Sequence, residues 1–161
     1  MSKVLYLHGL NSQLHSNRRE VMQAMGLNVF APHCDYTSNQ NLLSQLLDEY
    51  DVDMVIGSSA GGLAGYYFSG LKKIPALLFN PALPFRHYIP HIPELPQRNS
   101  FLQIVIGARD LDVSPEKTFE FLKNEFNEDV PLEIHWINNL AHRFNIQIFE
   151  SELRYFLHQI Q

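Results

Sequence analysis

One short segment of the chain places a serine where it could act as a nucleophile. Ser59 is the centre of Gly57-Ser58-Ser59-Ala60-Gly61, which reads G-x-S-x-G. The segment follows an apolar run and precedes a stretch of small residues typical of a helix, which is the setting of a nucleophile elbow. The alternatives are a phosphate-binding turn or a plain tight connection. The G-K-[ST] of a P-loop and the G-x-G-x-x-G of a dinucleotide site are both absent.

A serine hydroxyl needs a base, and the base needs an orienting acid, because the hydroxyl is a weak nucleophile at neutral pH. In a fold with this elbow the acid and then the histidine come later in the chain. His142 is the only histidine between the last predicted strand and the last predicted helix, so it is the favoured base. Asp110 and Asp112 compete for the acid. We favour Asp110, and Asp112 is otherwise a surface carboxylate near the start of the next helix.

The loop after the first predicted strand would complete such a site. An oxyanion hole of this type uses one N–H from this loop and one from the residue after the nucleophile, which gives Leu10 and Ala60. We expect His8, Gly9 and Asn11 in the same loop to contact the substrate. The alternative for this segment is a turn that simply ends the strand.

The elements that must position these residues follow from hydrophobic periodicity. Strands are predicted at 3–8, 27–32, 54–58, 75–80, 101–107 and 132–138, and helices at 17–25, 39–50, 60–69, 115–126 and 146–160. Several of the strands are continuously apolar, which is typical of strands buried on both faces of a parallel sheet. Gly70 is the expected left-handed C-cap of the third helix. Alternating strands and helices predict an α/β fold with helices on both faces of the sheet.

The crossover between the fourth and fifth strands breaks this rhythm. The segment 84–100 contains four prolines, which rule out a long helix. We call it the proline arm. Its apolar residues Phe85, Tyr88 and Ile89 are expected to line a substrate pocket. The arm is either a partial lid over that pocket or a loop packed on the end of the sheet, since long connections without regular structure are usually functional or disordered.

Composition limits the function classes. A chain of 161 residues with 45% hydrophobic and 18% charged residues fits one globular domain, here taken as 1–161. The net charge of −5 offers no basic surface for nucleic acid or anionic lipid. No apolar run approaches the roughly 20 residues of a membrane span, and no signal peptide is recognised. Cys34 is the single cysteine, which favours a cytoplasmic location. No histidine pair has the spacing of a metal site, so neither a metal nor a cofactor is expected.

The ordered segments LYLHGLNS, GSSAGG, FNPA, GARD and LAHRF make the chain resemble a small α/β-hydrolase, most of all the YqiA-like esterase family. The resemblance extends over nearly the whole chain. It implies a compact three-layer sandwich with about six parallel strands in the order 2-1-3-4-5-6. It also implies carboxyl-ester hydrolysis with Ser59, Asp110 and His142 as the triad. The chain departs from the family pattern in its shortened, proline-rich arm and in Arg109, which has no explanation in the sequence.

The sequence therefore predicts a serine hydrolase that cleaves small carboxylic esters or thioesters through an acyl-enzyme. Two other functions remain open. The same triad could serve acyl transfer or C–C bond hydrolysis, or the domain could be a protein-interaction module that no longer uses its triad. Fold alone does not separate these possibilities. The oligomeric state is not predicted.

Overall fold

The computed structural model describes residues 1–161 and consists of alternating strands and helices. The strands are β1 (Ser2–Leu7), β2 (Leu27–Phe30), β3 (Met54–Ser58), β4 (Ala76–Phe79), β5 (Leu102–Gly107) and β6 (Leu132–Ile137). The α-helices are α1 (Ser16–Ala24), α2 (Leu42–Glu49), α3 (Ala60–Lys72), α4 (Pro115–Glu125) and α5 (Ile146–Gln159). Each crossover contains one α-helix except that between β4 and β5.

The six strands form one sheet in the order β2-β1-β3-β4-β5-β6, and every neighbouring pair is parallel. This confirms the predicted order. The carboxyl ends of all strands therefore lie at one edge of the sheet. The chain leaves β1 toward α1 on one face and leaves β3 toward α3 on the other, so a crevice opens between these two loops. Open α/β sheets bind their ligands at this reversal of strand order.

Helices cover both faces of the sheet, as predicted. One apolar core lies between the sheet and α2, α3 and α4, with Phe68 of α3 and Leu122 of α4 fully buried. The second core lies between the sheet and α1 and α5, with Met22 and Phe149 fully buried. The residues of β4 and β5 are buried along their whole length, because both faces of these central strands are covered. No helix is both long enough and apolar enough to span a membrane.

Two predicted helix boundaries are wrong by three residues, and the others agree within one residue. α2 begins at Leu42 rather than at residue 39. The carboxylate of Asp35 accepts hydrogen bonds from the backbone N–H groups of Thr37 and Ser38, at 3.1 and 3.2 Å. Such side-chain turns satisfy N–H groups locally and compete with a helix.

The other wrong boundary is the end of α3. α3 continues past Gly70 to Lys72, and Lys73 is the left-handed residue that ends it, with φ of 58°. A Cβ on Gly70 would lie 3.0 Å from the side chain of Leu95 in the proline arm. The glycine therefore permits the close approach of the arm rather than the end of the helix.

The proline arm contains no α-helix, in agreement with its four prolines. A 3₁₀ helix covers Leu83–Tyr88, and the rest of the arm is irregular. Arg98 anchors the far end, because its buried guanidinium donates to Ser69 Oγ at 2.6 Å and to the carbonyl oxygen of Tyr66 at 3.0 Å. Near the start of the arm, Arg86 pairs with Glu125 of α4 at 3.0 Å.

Candidate active site

Ser59 lies in the turn between β3 and α3, in a backbone conformation that residues with side chains rarely adopt. Its φ is 54° and its ψ is −116°. The flanking glycines are required by close contact: a Cβ on Gly57 would lie 2.4 Å from the Gly61 carbonyl oxygen, and one on Gly61 would lie 2.1 Å from that of Leu7. Backbone strain of this kind persists only where the surrounding structure holds it. Here the backbone N–H of Ser59 donates to the carbonyl oxygen of Phe79 at 3.0 Å, so a hydrogen bond joins the turn to β4.

His142 and Asp110 are joined by a hydrogen bond. Nδ1 of His142 lies 2.8 Å from Oδ2 of Asp110, and the side chain of Asp110 is only 1% exposed. The other carboxylate oxygen accepts the backbone N–H groups of Asp112 and Val113, each at 2.9 Å. The carboxylate is thus fixed from both sides. Because Nδ1 donates to it, the neutral imidazole carries its proton there and leaves Nε2 as the acceptor.

Asp112 lies on the opposite side of the imidazole. Its Oδ2 is 3.9 Å from Nε2 of His142, and its side chain is 72% exposed. The structure therefore brings both candidate acids to His142 but gives only Asp110 the buried, hydrogen-bonded position of an orienting acid.

Asn80 connects the loops that carry the acid and the base, and the sequence analysis did not identify it. The residue directly follows β4, is 3% exposed and has φ of 41°. Its side-chain Nδ2 donates to the carbonyl oxygens of Ala141 and His142, each at 3.0 Å, and its Oδ1 accepts the N–H of Gly107 at 2.7 Å. The signal in the sequence was a polar residue directly after the buried strand LLF.

Leu10 and Ala60 are the predicted oxyanion donors. Neither backbone N–H donates a hydrogen bond within the chain. Gly9 brings the two segments together, because a Cβ placed on it would lie 3.6 Å from Cβ of Ser59. The loop then turns sharply, with φ of 51° at Asn11. These two N–H groups are therefore available to a ligand.

A cleft of about 1500 Å³ opens along the carboxyl edge of the sheet. It is lined by Ser59, by both predicted oxyanion residues and by five of the six predicted substrate-binding residues: Gly9, Leu10, Asn11, Ala60, Phe85, Tyr88 and Ile89. His142 also lines it, and Asp110 lies behind the imidazole. No hydrogen bond joins Ser59 to His142 in this structure. Catalytic hydrogen bonds are often long in unliganded enzymes and tighten when substrate binds.

His8 does not line the cleft, so the prediction that it binds substrate is corrected. It is 3% exposed. Its Nε2 accepts the N–H of Cys34 at 2.8 Å, and Nδ1 donates to the carbonyl oxygen of Gly9 at 2.6 Å. Both ring nitrogens are occupied by the backbone, so the imidazole supports the loop after β1.

The buried tyrosines around the cleft keep their protons. Burial raises the pKa of Tyr36, with the neighbouring Cys34 adding to it, and its hydroxyl donates to the His8 carbonyl oxygen at 2.7 Å. Burial also raises the pKa of Tyr67. Both hydroxyls are therefore neutral hydrogen-bonding groups at neutral pH.

Asp110, Asp112 and His142 also form a group whose potential metal-ligand atoms lie within 4.8 Å of one another. Both oxygens of Asp110 are already engaged, one by two backbone N–H groups and the other by His142. To bind a metal ion, an oxygen of Asp110 would have to give up one of these hydrogen bonds. The donor set suits a hydrogen-bonded acid and base better than an ion, and the absence of a metal site stays a prediction.

A family model matches residues 3–102, well over half of the chain. The chain belongs to the Uncharacterised protein family (UPF0227). This confirms the resemblance to YqiA-like proteins seen in the sequence. The matched region includes the loop after β1 and Ser59, and it ends before Asp110 and His142. No curated protein sequence matches the chain.

Solved structures with the same fold are distant in sequence. One is a protein of Xanthomonas campestris pv. campestris assigned to the alpha/beta superfamily of hydrolases, with TM-score 0.74, 15% identity and 99% of each chain covered. Est1E from Butyrivibrio proteoclasticus with bound ferulic acid has TM-score 0.76 and 14% identity, covering 99% of this chain and 89% of that one. The Pyrococcus furiosus esterase Pf2001 has TM-score 0.67 and 22% identity, and the match covers 99% of this chain and 83% of that one. The fold of this chain is that of the α/β-hydrolases.

Proposed function

We propose that this protein is a serine hydrolase that cleaves small carboxylic esters or thioesters, with Ser59, His142 and Asp110 as its catalytic triad. The observation that carries the proposal is the His142–Asp110 hydrogen bond of 2.8 Å at the wall of the cleft that Ser59 also lines. Two proteins with the same fold support an ester substrate, since one is an esterase and the other binds ferulic acid, a carboxylic acid of the kind that ester hydrolysis releases.

The reaction proceeds in two halves. Nε2 of His142 takes the proton of the Ser59 hydroxyl as Oγ bonds to the substrate carbonyl carbon. The resulting oxyanion accepts hydrogen bonds from the N–H groups of Leu10 and Ala60. When the bond to the leaving oxygen or sulfur breaks, His142 returns the proton to that atom. A water molecule then attacks the acyl-enzyme by the same route, which releases the acid and restores Ser59. Asp110 holds the imidazole and stabilises its protonated form. No cofactor is needed.

The domain, its location and the proline arm are part of the same proposal. The whole chain, 1–161, is one catalytic domain. It acts in the cytoplasm, which is inferred from its single cysteine. The proline arm is a partial lid, because Phe85, Tyr88 and Ile89 line the cleft while Arg98 and Arg86 hold the arm at its two ends.

A fluorophosphonate probe tests the nucleophile. It should label the wild type and Ser58→Ala but not Ser59→Ala, with the modified residue identified by mass spectrometry. Ser58 is the matched control, since it lies beside Ser59 and lines the same cleft. Labelling of Ser59→Ala would refute the proposed nucleophile.

Turnover tests the reaction. The wild type should hydrolyse p-nitrophenyl esters or the matching thioesters, and Ser59→Ala should not. Labelling of Ser59 without hydrolysis of any ester or thioester in a chain-length series would contradict hydrolysis and favour the interaction module. Transfer of the acyl group to added alcohols in place of water would favour an acyltransferase.

A further inference from the structure

Arg18 of α1 lies in the wall of the cleft, in a fixed position. Its Nη1 donates to the hydroxyl of Tyr6 at 2.9 Å, and its Nη2 donates to the carbonyl oxygen of Phe144 at 3.1 Å. The guanidinium carbon lies 4.1 Å from the centroid of the Phe144 ring. A half-buried guanidinium held in this way is already oriented for a ligand.

Arg18 forms no ion pair in the protein. No carboxylate lies within 4.0 Å of its guanidinium, and the first turn of α1 contains no acidic residue. The residues lining the cleft carry only two other permanent charges, Arg143 and Asp112. Asp112 lies beside His142, with its Oδ2 3.9 Å from Nε2. The residues that line the cleft thus carry a net charge of +1, in a chain with a net charge of −5, and the carboxylate of Asp110 lies behind them, bonded to His142. N–H groups of Arg18 remain free.

Tyr6 supplies a second donor. The side chain also lines the cleft and is 2% exposed. Its hydroxyl accepts from Arg18 and donates to no group in the chain. Burial raises its pKa, which keeps the proton on the oxygen, although Arg18 acts in the opposite direction.

We propose that Arg18 and Tyr6 form an anion-binding subsite for the substrate, so that the preferred ester carries a carboxylate or another anion. The proposal rests on the hydrolase function for its biological meaning, but the site itself can be tested without turnover.

The subsite belongs to the leaving group. His142 returns its proton to the leaving atom, so that part of the substrate lies on the side of the histidine loop. Arg18 bonds to Phe144 of this loop, two residues after His142, and Arg143 adds a second positive charge there. The opposite wall is apolar and suits the acyl group; it contains Leu42, Leu43, Leu47, Leu63 and Tyr67.

Equilibrium binding of two phenols, each the leaving group of a possible ester substrate, tests the subsite. 3-Hydroxybenzoate and 3-hydroxybenzamide have nearly the same shape and differ in charge, and NMR titration measures both dissociation constants. The wild type should bind the anion about 10- to 100-fold more tightly, the range expected for hydrogen bonds to a charged group. Arg18→Gln should lose this preference. Arg19→Gln is the matched control, because Arg19 lies on the same helix, bonds to Val29 and does not line the cleft.

A second variant tests the subsite independently, in case Arg18→Gln does not fold. Tyr6→Phe keeps the aromatic ring and the stacking of Arg18 on Phe144, and it should weaken the preference by about threefold to tenfold. Equal binding of the two products by the wild type, or a preference that survives Arg18→Gln, would overturn the subsite. A purely structural role for Arg18 would lower both affinities together and leave their ratio unchanged, which also overturns it.

Hydrolysis separates this inference from the proposed function. The same pair as acetate esters, 3-acetoxybenzoate and 3-acetoxybenzamide, should give a kcat/KM ratio that falls in Arg18→Gln and not in Arg19→Gln. An anion preference in binding without any hydrolysis would support the subsite and refute the hydrolase. A preference seen only when the carboxylate is on the acyl side, as in mono-p-nitrophenyl glutarate, would overturn the assignment to the leaving group.

Discussion

Asp110 and Asp112 lie two positions apart in the loop after β5, and their surroundings give them different chemistry. Asp110 is buried, accepts two backbone N–H groups and holds Nδ1 of His142. Asp112 is largely exposed and reaches the other side of the imidazole at 3.9 Å. An orienting acid must hold one tautomer of the histidine, and an exposed carboxylate at that distance is screened by water.

Exchanging each aspartate for asparagine should therefore have unequal effects. Asp110→Asn should lower kcat/KM for a p-nitrophenyl ester by about 10⁴-fold, because the amide favours the wrong tautomer of His142. Asp112→Asn should change it by less than about threefold, as expected for an exposed charge. Steady-state kinetics on both variants checks this, and a larger loss in Asp112→Asn would reverse the assignment of the acid.

Asn80 should be needed for stability and for the geometry of the site. Asn80→Ala leaves the Ala141 and His142 carbonyl oxygens and the Gly107 N–H without their partner, and each buried unsatisfied group costs about 1–3 kcal/mol. We expect a lower free energy of unfolding in urea and slower labelling of Ser59 by the fluorophosphonate. Asn139→Ala is the control, since Asn139 is exposed in the same loop. Equal effects of the two variants would show that the connection is unimportant.

Among the elements, the junction of β3 and α3 is tightly packed. The strand, the turn and the helix meet at Gly57 and Gly61 with no room for a Cβ. This packing holds Ser59 in its strained conformation and leaves its hydroxyl at the carboxyl edge of the sheet.

A methyl group at this junction should lower the free energy of unfolding. Gly57→Ala would place a Cβ 2.4 Å from a backbone oxygen, and relief of such overpacking costs typically about 1–3 kcal/mol. Gly9→Ala meets its nearest atom at 3.6 Å, an ordinary contact, and should leave the free energy of unfolding within about 0.5 kcal/mol. Urea unfolding of both variants measures the difference, and similar values for the two would contradict the argument.

A buried arginine, Arg98, anchors the far end of the proline arm. Arg98→Ala removes two hydrogen bonds from a buried guanidinium, whereas Arg86→Ala removes an ion pair whose side chains are 44% and 40% exposed. Amide hydrogen exchange in the arm should accelerate about tenfold or more in Arg98→Ala and about fivefold or less in Arg86→Ala. Unchanged exchange in Arg98→Ala would show that other contacts hold the arm.

At the scale of the whole molecule, the sheet joins all the parts of the site. The residues of the proposed triad follow β3, β5 and β6, and the loop proposed to bind the oxyanion follows β1, so the candidate site requires the complete sheet. Both apolar cores share this sheet. We therefore expect no smaller folded unit.

Unfolding in urea should be a single cooperative transition. Far-UV circular dichroism and the fluorescence of Trp136, the one tryptophan and a residue of edge strand β6, should give coincident curves. Non-coincident curves would contradict the proposal that residues 1–161 form one domain.

Local sequence patterns determined much of this protein. Continuous apolar runs predicted the strands, and the small residues around Ser59 predicted the turn. The positions of Asp110 and His142 after later strands placed them at one edge, because parallel strands end at the same side of the sheet.

The tertiary structure alone decided the contacts between distant segments. His8 and Gly70 were misread, since their partners, Cys34 and Leu95, lie far away in the chain. Asn80 and Arg18 were missed for the same reason: their roles depend on which carbonyl groups and rings pack beside them. Periodicity reports the face on which a side chain lies, whereas hydrogen-bond partners and unpaired charges are set by packing between segments that the local pattern does not connect.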